Sequence, residues 1–346
     1  MQKALTISCC FLVILVFACK KNGVNEGETR TPVPVTFRVP EGWPQPVYNF
    51  ADNPLTEEGI LLGRKLFYDG LLSKDGNFPC ASCHQQAAAF GTLDHDLSHG
   101  FNDQHTLRNA PPIQNLAWHR EFHWDGGIVN LDQQPLAPLT APNEMAETID
   151  NVLNKLRQSK DYPGLFKKAF GSEEVTTRRM TQALSQFMLT MVSANSKYDQ
   201  VIQGKAEFDL PEELGYQIFK QKCAGCHAEP LFTDLSYRNV GIPKDPVLQD
   251  LGRMRITNRA EDSLKFKVPS LRNVMVTRYF GHDGRFFDVF NVFDHYGQTV
   301  QRSPTLDPLF ANGLPLSNFE RGQLLAFLMT LTDSSFLSNK ALAQPR

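Results

Sequence analysis

Cysteine is scarce in this sequence and is confined to a few positions. Seven cysteines occur in 346 residues, and three of them, Cys9, Cys10 and Cys19, lie near the start. The other four form two Cys-x-x-Cys pairs, which is too few for the disulfide framework of a small secreted domain. A hydrophobic core must therefore stabilise the chain, and its 25 phenylalanines suit a well-filled core rather than disorder.

An excess of charge of one sign is also missing. Lys and Arg number 35 and Asp and Glu number 37, so the formal net charge is −2, and no long basic run occurs. This balance gives no electrostatic reason to expect a nucleic-acid partner. The length is sufficient for two domains.

The first residues are typical of an export signal. Lys3 precedes an apolar run over residues 7–18, which is too short to span a bilayer but suits the core of a signal peptide. The run ends in VFAC, which resembles the cleavage box of bacterial lipoproteins. We predict a signal peptide over residues 1–18, a lipid anchor on Cys19, a Pro-rich tether over residues 19–46, and export to the periplasmic side of a membrane. Ordinary secretion, with Cys19 incidental, is the alternative.

Each of the two remaining cysteine pairs is followed directly by histidine. The motifs are PCASCH, with Cys80, Cys83 and His84, and KCAGCH, with Cys223, Cys226 and His227. Cysteine pairs alone could also form a zinc site or a thioredoxin-like redox centre. The histidine favours c-type haem, in which two thioether bonds hold the porphyrin and the imidazole ligates the iron. Two motifs predict two covalently bound haem c groups.

The chain repeats itself around these motifs. LGRKLF at 62–67 matches LGYQIF at 214–219, and PPIQNLAWHREFHWDGG from Pro111 aligns without a gap on PSLRNVMVTRYFGHDGR from Pro269. Six identities in the longer pair keep one offset of 158 residues. Such self-similarity indicates an internal duplication. We predict an N-terminal haem domain over residues 47–205 and a C-terminal haem domain over residues 206–346.

Helical signals dominate the rest of the pattern. Thr56 is a predicted N-cap, and Ser317 and Glu320 have the spacing of a capping box. The segment VTTRRMTQALSQFMLTMV places its apolar side chains on one face, and we interpret that stripe as core rather than as a source of haem ligands. Regular strand alternation is absent from the sequence. The predicted fold is mostly α, with two tandem cytochrome c-like haem domains.

The motifs resemble those of the bacterial di-haem cytochrome c peroxidases, a family that includes MauG. The resemblance extends from about residue 50 over nearly the whole chain. It includes, in the family's order, CASCH, RNAPPIQN, FHWDGG, QQPLAPLTAPNEM, CAGCH, LFTDLSYRNVGIP, VPSLRNV, HDGRF and DHYG. It implies an enzyme whose first domain carries the peroxide-reactive haem and whose second domain carries an electron-transfer haem. A protein with both irons saturated would instead be a non-catalytic electron carrier.

In the first domain, the resemblance implies a set of site residues. His84 matches the proximal iron ligand, and Gln134 and Glu144 match polar residues of the distal pocket. A carboxyl group suits this pocket because peroxide cleavage requires a proton to move from one oxygen to the other. Trp124 corresponds to the tryptophan that lies between the two haems and can relay electrons.

A loop histidine is a further candidate in this domain. In typical relatives, a histidine ahead of the RN motif caps the reactive iron until the second haem is reduced. The segment DLSHGFNDQHTLRN offers His95, His99 and His105. His99 is followed by glycine, as in relatives, although its spacing to Asn109 is two residues longer than theirs. A solvent-exposed loop histidine without this role is the alternative.

At the second haem, the resemblance implies an unusual distal ligand. The peroxidases place a methionine fourteen residues after the histidine of the HDG motif, and counting from His282 gives Tyr296, as in MauG-type members. A phenolate favours ferric iron and lowers the potential, whereas methionine raises it. Met275 is the other candidate ligand.

As a whole, the resemblance implies a peroxidase that reduces hydrogen peroxide to water with electrons from a small cytochrome or a cupredoxin. A MauG-like peroxide-dependent oxidase of a protein or small-molecule substrate is the alternative, which Tyr296 favours. Homodimers are common in such enzymes. A calcium ion between the domains is also implied, held by the Asn109 side chain and by the carbonyl oxygens of Thr277 and Tyr279.

Overall fold

The computed structural model describes residues 31–345, so the predicted signal peptide and the lipid anchor on Cys19 lie outside the described residues. Within this range the chain is mostly helical, as predicted. Its α-helices are α1 (Glu57–Tyr68), α2 (Leu136–Thr140), α3 (Ile149–Gln158), α4 (Tyr162–Phe170), α5 (Thr177–Leu189), α6 (Lys197–Ile202), α7 (Leu210–Lys222), α8 (Met254–Thr257), α9 (Val289–Asp294), α10 (Asn318–Met329) and α11 (Ser334–Leu337). None of these helices is both long enough and apolar enough to cross a membrane.

Short 3-10 turns and long loops connect the helices. Two two-residue strands, β1 (Tyr237–Arg238) and β2 (Phe266–Lys267), form an antiparallel pair, the one sheet between residues 31 and 345. Both predicted helix starts are confirmed. The Thr56 side chain accepts a hydrogen bond from the Gly59 amide at the start of α1, and Ser317 and Glu320 form a capping box at the start of α10.

The first hydrophobic core forms where α1 crosses α5. At the crossing, a β-carbon on Gly63 would overlap the carbonyl oxygen of Ala183, so only glycine allows the two backbones to lie this close. The predicted apolar stripe in and just after α5 is buried here, which confirms its interpretation as core. Its members are Met180, Leu184, Phe187, Met188 and Met191.

The second core forms in the same way where α7 crosses α10. A β-carbon on Gly215 would overlap the carbonyl oxygen of Gln323, and the side chains of Phe219, Phe327 and Leu328 are buried around the crossing. Helix α7 ends at Lys222 and leads directly into the second cysteine motif. The crossing therefore fixes where that motif begins.

The segment before α1 is extended and packs against the first core. The Val35 amide donates to the Leu55 carbonyl at 2.8 Å, and the Trp118 indole donates to the Pro44 carbonyl at 2.7 Å. The Trp43 ring lies edge-on to Trp118, with ring centroids 4.9 Å apart. From residue 33 onward, the predicted Pro-rich tether is therefore part of the folded body.

The C-terminal segment returns to the first core. Phe336, in α11, and Leu342 are buried among first-core side chains. Arg64 and Tyr68, both in α1, donate side-chain hydrogen bonds to the carbonyls of Ala343 and Leu342 at 2.6 and 2.7 Å. Both ends of the described chain thus support the half that contains the first cysteine motif.

Candidate haem sites

The first motif opens onto a cavity of ≈ 460 Å³, within the size range of small-molecule and cofactor sites. Its lining includes Cys83, His84, Gln134 and Glu144. A smaller pocket of ≈ 80 Å³ shares these four residues and adds Cys80. The structure therefore brings the first cysteine motif and both predicted distal residues to one cavity.

His84 has the geometry of an iron ligand. Its Nδ1 lies 2.8 Å from the carbonyl oxygen of Phe90, and because a carbonyl can only accept, Nδ1 carries the proton. The bare Nε2 is then free to bind a metal, with the backbone fixing the ring orientation. Burial lowers the pKa of His84 to about 4, so the imidazole is neutral at physiological pH.

The cysteines of both motifs are free thiols suited to thioether formation. Cys80 begins a 3-10 turn that brings Cys83 and His84 back towards it, since the amides of both donate to the Cys80 carbonyl. Burial raises the pKa of Cys80 and of Cys223 to about 12. Two thiols and a neutral imidazole therefore converge on a largely apolar cavity wall, which fits covalent haem.

The second motif lines a separate cavity of ≈ 330 Å³ with the same arrangement. Cys223, Cys226 and His227 all contribute to it. The His227 Nδ1 lies 3.2 Å from the Phe232 carbonyl and 3.1 Å from the Pro269 carbonyl, which again leaves Nε2 for a metal. The second cavity fits a c-type haem for the same reasons as the first.

Tyr296 lines this second cavity and is partly buried there. It lies on a π-helical turn (His295–Thr299) that continues α9, a local geometry often found at functional sites. Burial raises its pKa, and the charges of Cys223 and Cys226 add to the effect, so the phenol lies near the two thiols. Met275 packs against the second core and is not among the residues that line the cavity.

Glu144 is the carboxyl group of the first cavity. Among residues 31–345, no protein group makes a hydrogen bond to its carboxylate, whereas its backbone is fixed by Phe101 and Ala141. Burial raises its pKa, and its charge contributes to the raised pKa of the Cys83 thiol. This carboxyl group is therefore free to bind or exchange a proton with a molecule in the cavity.

Two histidines that the sequence analysis did not select also line the first cavity. They are His119 and His123, and the Gln134 amide nitrogen lies 3.3 Å from the His123 Nε2. Burial lowers the pKa of both imidazoles, to about 3 for His119. The sequence did contain a signal for His123. The position that aligns with it 158 residues later is Gly281, so this histidine occurs only in the first of the two aligned stretches.

Trp124 lies in the wall between the two cavities and lines both of them. Its indole nitrogen donates to the Asn109 carbonyl at 2.9 Å, and its own carbonyl accepts from the Lys267 amide at 2.7 Å. The wall therefore joins residues from both halves of the chain, and the indole is held rigidly within it.

The three predicted calcium ligands also belong to the wall of the second cavity. Asn109, Thr277 and Tyr279 all line the second cavity. The Asn109 amide nitrogen donates to the Asp96 carbonyl at 2.8 Å, which leaves its side-chain oxygen available. In the part of the chain that the structure describes, no group of three His, Cys, Asp or Glu is arranged to hold a metal, so a calcium site here would depend on amide and carbonyl oxygens.

His99 lies at the rim of the small first pocket. Its Nδ1 is 2.5 Å from the Asp103 carboxylate, and its ring lies between those of His95 and His105, with centroids 4.7 and 4.3 Å away. The side chain is 35% exposed. In this conformation the Asp103 contact occupies Nδ1, and the ring packs at a tilt of 45° against each of the two other imidazoles.

Comparison with known proteins identifies the family. A model described as di-haem cytochrome c peroxidase matches residues 57–207. Methylamine utilization protein MauG of Methylorubrum extorquens is 35% identical over 302 residues, covering 85% of this chain and 83% of that protein. This chain belongs to the di-haem cytochrome c peroxidase family. A di-haem peroxidase carries two c-type haems, and the two cavities fit one each.

Two further relatives support the same assignment. Cytochrome c551 peroxidase of Nitrosomonas europaea is 37% identical to this di-haem peroxidase over 227 residues, which are 64% of this chain and 68% of that protein. The crystal structure of a MauG-like protein associated with microbial copper homeostasis superimposes with a TM-score of 0.82 at 31% identity, covering 90% of this chain and 99% of that one.

Proposed function

We propose that this chain reduces hydrogen peroxide to water at a haem held by Cys80, Cys83 and His84. A second haem, held by Cys223, Cys226 and His227, would receive electrons from a small cytochrome or a cupredoxin. The observation that carries the proposal is the Glu144 carboxylate, which shares the first cavity with His84 and has no protein partner among the described residues. A pure electron carrier has no need of an unpaired carboxyl group beside its iron ligand.

When bound, the haems supply the electron-transfer and peroxide-reducing chemistry. The protein's part is to move protons, since reduction of peroxide to two waters consumes two protons as well as two electrons. Glu144 can take a proton from one peroxide oxygen and return it to the other, because burial raises its pKa towards neutrality. The Gln134 amide, held by His123, can orient the peroxide by hydrogen bonding.

Trp124 fits the role of an electron relay between the cavities. Its ring contributes to both cavity walls, and the hydrogen bonds to Asn109 and Lys267 fix its position. A fixed aromatic ring keeps the distance between donor and acceptor constant, and little reorganisation is then needed when an electron moves.

A MauG-like oxidase is the second candidate function, and Tyr296 favours it. The phenol lines the second cavity together with His227, so it is the side chain we propose as distal ligand in preference to Met275. A phenolate ligand lowers the potential of an iron and favours its ferric form. Such a haem would assist in storing oxidising equivalents for a protein or small-molecule substrate.

A stopped-flow experiment separates these functions. The fully oxidised holoprotein is mixed with hydrogen peroxide, with and without prior addition of one electron. A fast spectral change without reduction would support the MauG-like oxidase, and a change only after reduction would support a peroxidase that His99 or a neighbour keeps capped. Absence of any reaction, together with no carbon monoxide binding after reduction, would mean an electron carrier and would contradict both proposals.

We also propose that the two haem domains, over residues 47–205 and 206–346, arose by duplication. The glycine-mediated crossings at Gly63 and Gly215 support this, as do isolated bridges at Phe122–Ile128 and Phe280–Phe286, which again keep the offset of 158. Asn115 and Asn273 also match, since both adopt left-handed conformations ahead of a 3-10 turn.

Calcium at the interface and a lipid anchor at Cys19 complete the proposal. The calcium site is supported by the presence of Asn109, Thr277 and Tyr279 in the wall of one cavity. Removing calcium with a chelator should alter the haem spectra, and re-addition should restore them. Mass spectrometry of the mature N-terminus would test the anchor on Cys19 and the export that it implies.

A further inference from the structure

Lys267 is a buried cation in the wall between the two haem cavities. It lies on β2, is only 9% exposed, and lines both cavities. Lysine is rarely buried to this extent unless a partner neutralises it, because removing an ammonium from water is costly. Its environment should therefore contain an anion.

Among the described residues, the ammonium has no anionic partner, and the Tyr237 ring, whose centroid lies 5.9 Å away, is a weak partner. The Lys267 ammonium donates to the backbone carbonyl of Glu121, a neutral acceptor, although it has three protons to donate. The Glu121 carboxylate is already bound by the Arg253 guanidinium at 3.1 Å and by the Tyr237 hydroxyl at 2.8 Å. Across residues 31–345, no carboxylate forms an ion pair with Lys267, although sixteen ion pairs of other Lys or Arg side chains with carboxylates are present.

The ammonium lies on the side of the first cavity. It donates to the Glu121 carbonyl, and the next residue, Phe122, lines that cavity. Its charge also contributes to the lowered pKa of His119 and of His123, which line the same cavity. The surrounding charges are mixed. Burial disfavours the charged form and lowers the pKa of Lys267 to about 8. The Arg253 guanidinium acts in the same direction, whereas the Glu121 and Asp125 carboxylates favour the charged form.

We propose that Lys267 pairs with a propionate carboxylate of the haem carried by the first cavity, and that its charge raises the reduction potential of that haem. Haem is the anion-bearing molecule that the first motif brings to this wall, and a propionate matches the missing partner in charge and in hydrogen-bonding capacity. The proposal rests on the assignment of a haem to Cys80, Cys83 and His84. Lys267 is a positioning residue in this role.

The sign of the effect follows from electrostatics. Reduction adds one negative charge to the haem, so a nearby cation stabilises the reduced form, and removal of that cation favours the oxidised form. We expect Lys267→Gln to change the equilibrium constant for reduction of the first haem by about tenfold, which is about 59 mV to lower potential for a one-electron couple. Lys267→Arg, which keeps the charge, should change it by less than threefold.

The experiment uses the full-length holoprotein and two readouts other than activity. Spectroelectrochemical titration gives the potential of each haem, and resonance Raman spectroscopy reports the propionate bending modes, which shift when a hydrogen bond to the propionate is lost. The matched control is Lys265→Gln. It removes the same charge two residues earlier, from a side chain that pairs with Asp262 and lines neither haem cavity.

The outcomes are distinct. A lower first-haem potential and shifted propionate modes in Lys267→Gln, with Lys265→Gln unchanged, would support the proposal. Unchanged potential and modes in a Lys267→Gln protein that still binds two haems would overturn it, as would an effect confined to the second haem. If Lys267→Gln fails to fold, a change of about tenfold in Lys267→Arg, which keeps the charge, would overturn the role of charge. A haem count below two in the unmutated protein would instead contradict the proposed function.

Discussion

Replacement of Glu144 by glutamine is the most direct perturbation of the proposed chemistry. The substitution keeps the shape of the side chain and removes its ability to accept a proton. Because no described protein group bonds to the Glu144 carboxylate, the change breaks no hydrogen bond of the fold. Any loss of activity can then be assigned to proton transfer.

The size of the expected loss of activity follows from general acid–base catalysis. A positioned general acid–base group contributes about 10²–10⁴-fold to a rate, which is about 3–5 kcal/mol of transition-state stabilisation. We expect the second-order rate constant for the reaction with peroxide to fall by this factor in Glu144→Gln. In the unmutated protein the rate should fall as pH drops through the raised pKa of Glu144, and in the variant this pH dependence should disappear.

The free energy of unfolding should not fall with the activity. Burial raises the pKa of Glu144, so the folded state favours the protonated form. The associated stabilisation is present below the unfolded-state pKa and is lost as pH rises through the folded-state pKa. Glutamine carries no charge at any pH, so the variant should be at least as stable as the unmutated protein at neutral pH and equal to it in acid.

Rapid-mixing kinetics and thermal unfolding across pH test both expectations. Glu173→Gln is the control, because Glu173 is 60% exposed and pairs only with Lys167 on the surface. An activity within threefold of the unmutated protein would refute the role of Glu144. A loss of activity accompanied by lower stability at neutral pH would refute the reasoning from burial.

Four further variants probe other parts of the structure. Tyr296→Met should raise the potential of the second haem, since methionine favours ferrous iron, and a redox titration checks this. Trp124→Phe should slow electron transfer between the haems while leaving both potentials in place, which flash photolysis of the half-reduced protein measures. Gly63→Ala should lower the free energy of unfolding by about 1–3 kcal/mol through overlap at the helix crossing. Gly164→Ala, in an open position of α4, should instead raise it by about 0.5–1 kcal/mol.

The helix caps and the buried face of α5 could be predicted from the sequence. The caps at Thr56 and Ser317 depend on side chains within three residues of the amides they bind, so the sequence contains all the information that is needed. The methionine stripe of α5 was recognisable for a similar reason, because helical periodicity alone determines which side chains share a face.

Contacts between segments that are distant in the sequence could not be predicted in the same way. Proline composition predicted a tether before residue 47, but Phe37 and Trp43 anchor this segment on Trp118, a partner far along the chain. Likewise, nothing near Phe336 or Leu342 indicates that the C-terminal segment returns to the first core. Such contacts depend on which surfaces the fold leaves open, and local patterns do not contain that information.

The wall between the cavities shows how the site depends on both halves. Trp124 comes from the first half and Lys267 from the second, and the backbone hydrogen bond between them links the two cavity walls directly. A second link joins the Asn109 amide to the His282 carbonyl at 2.8 Å. The two aligned stretches differ at this wall, since Trp124 matches His282 and His123 matches Gly281. These differences place different side chains around the two cavities. The cavity lined by His84 contains the Glu144 carboxyl group, and the cavity lined by His227 contains the Tyr296 phenol. The proposed division between peroxide chemistry and electron transfer requires such a difference between the two cavities.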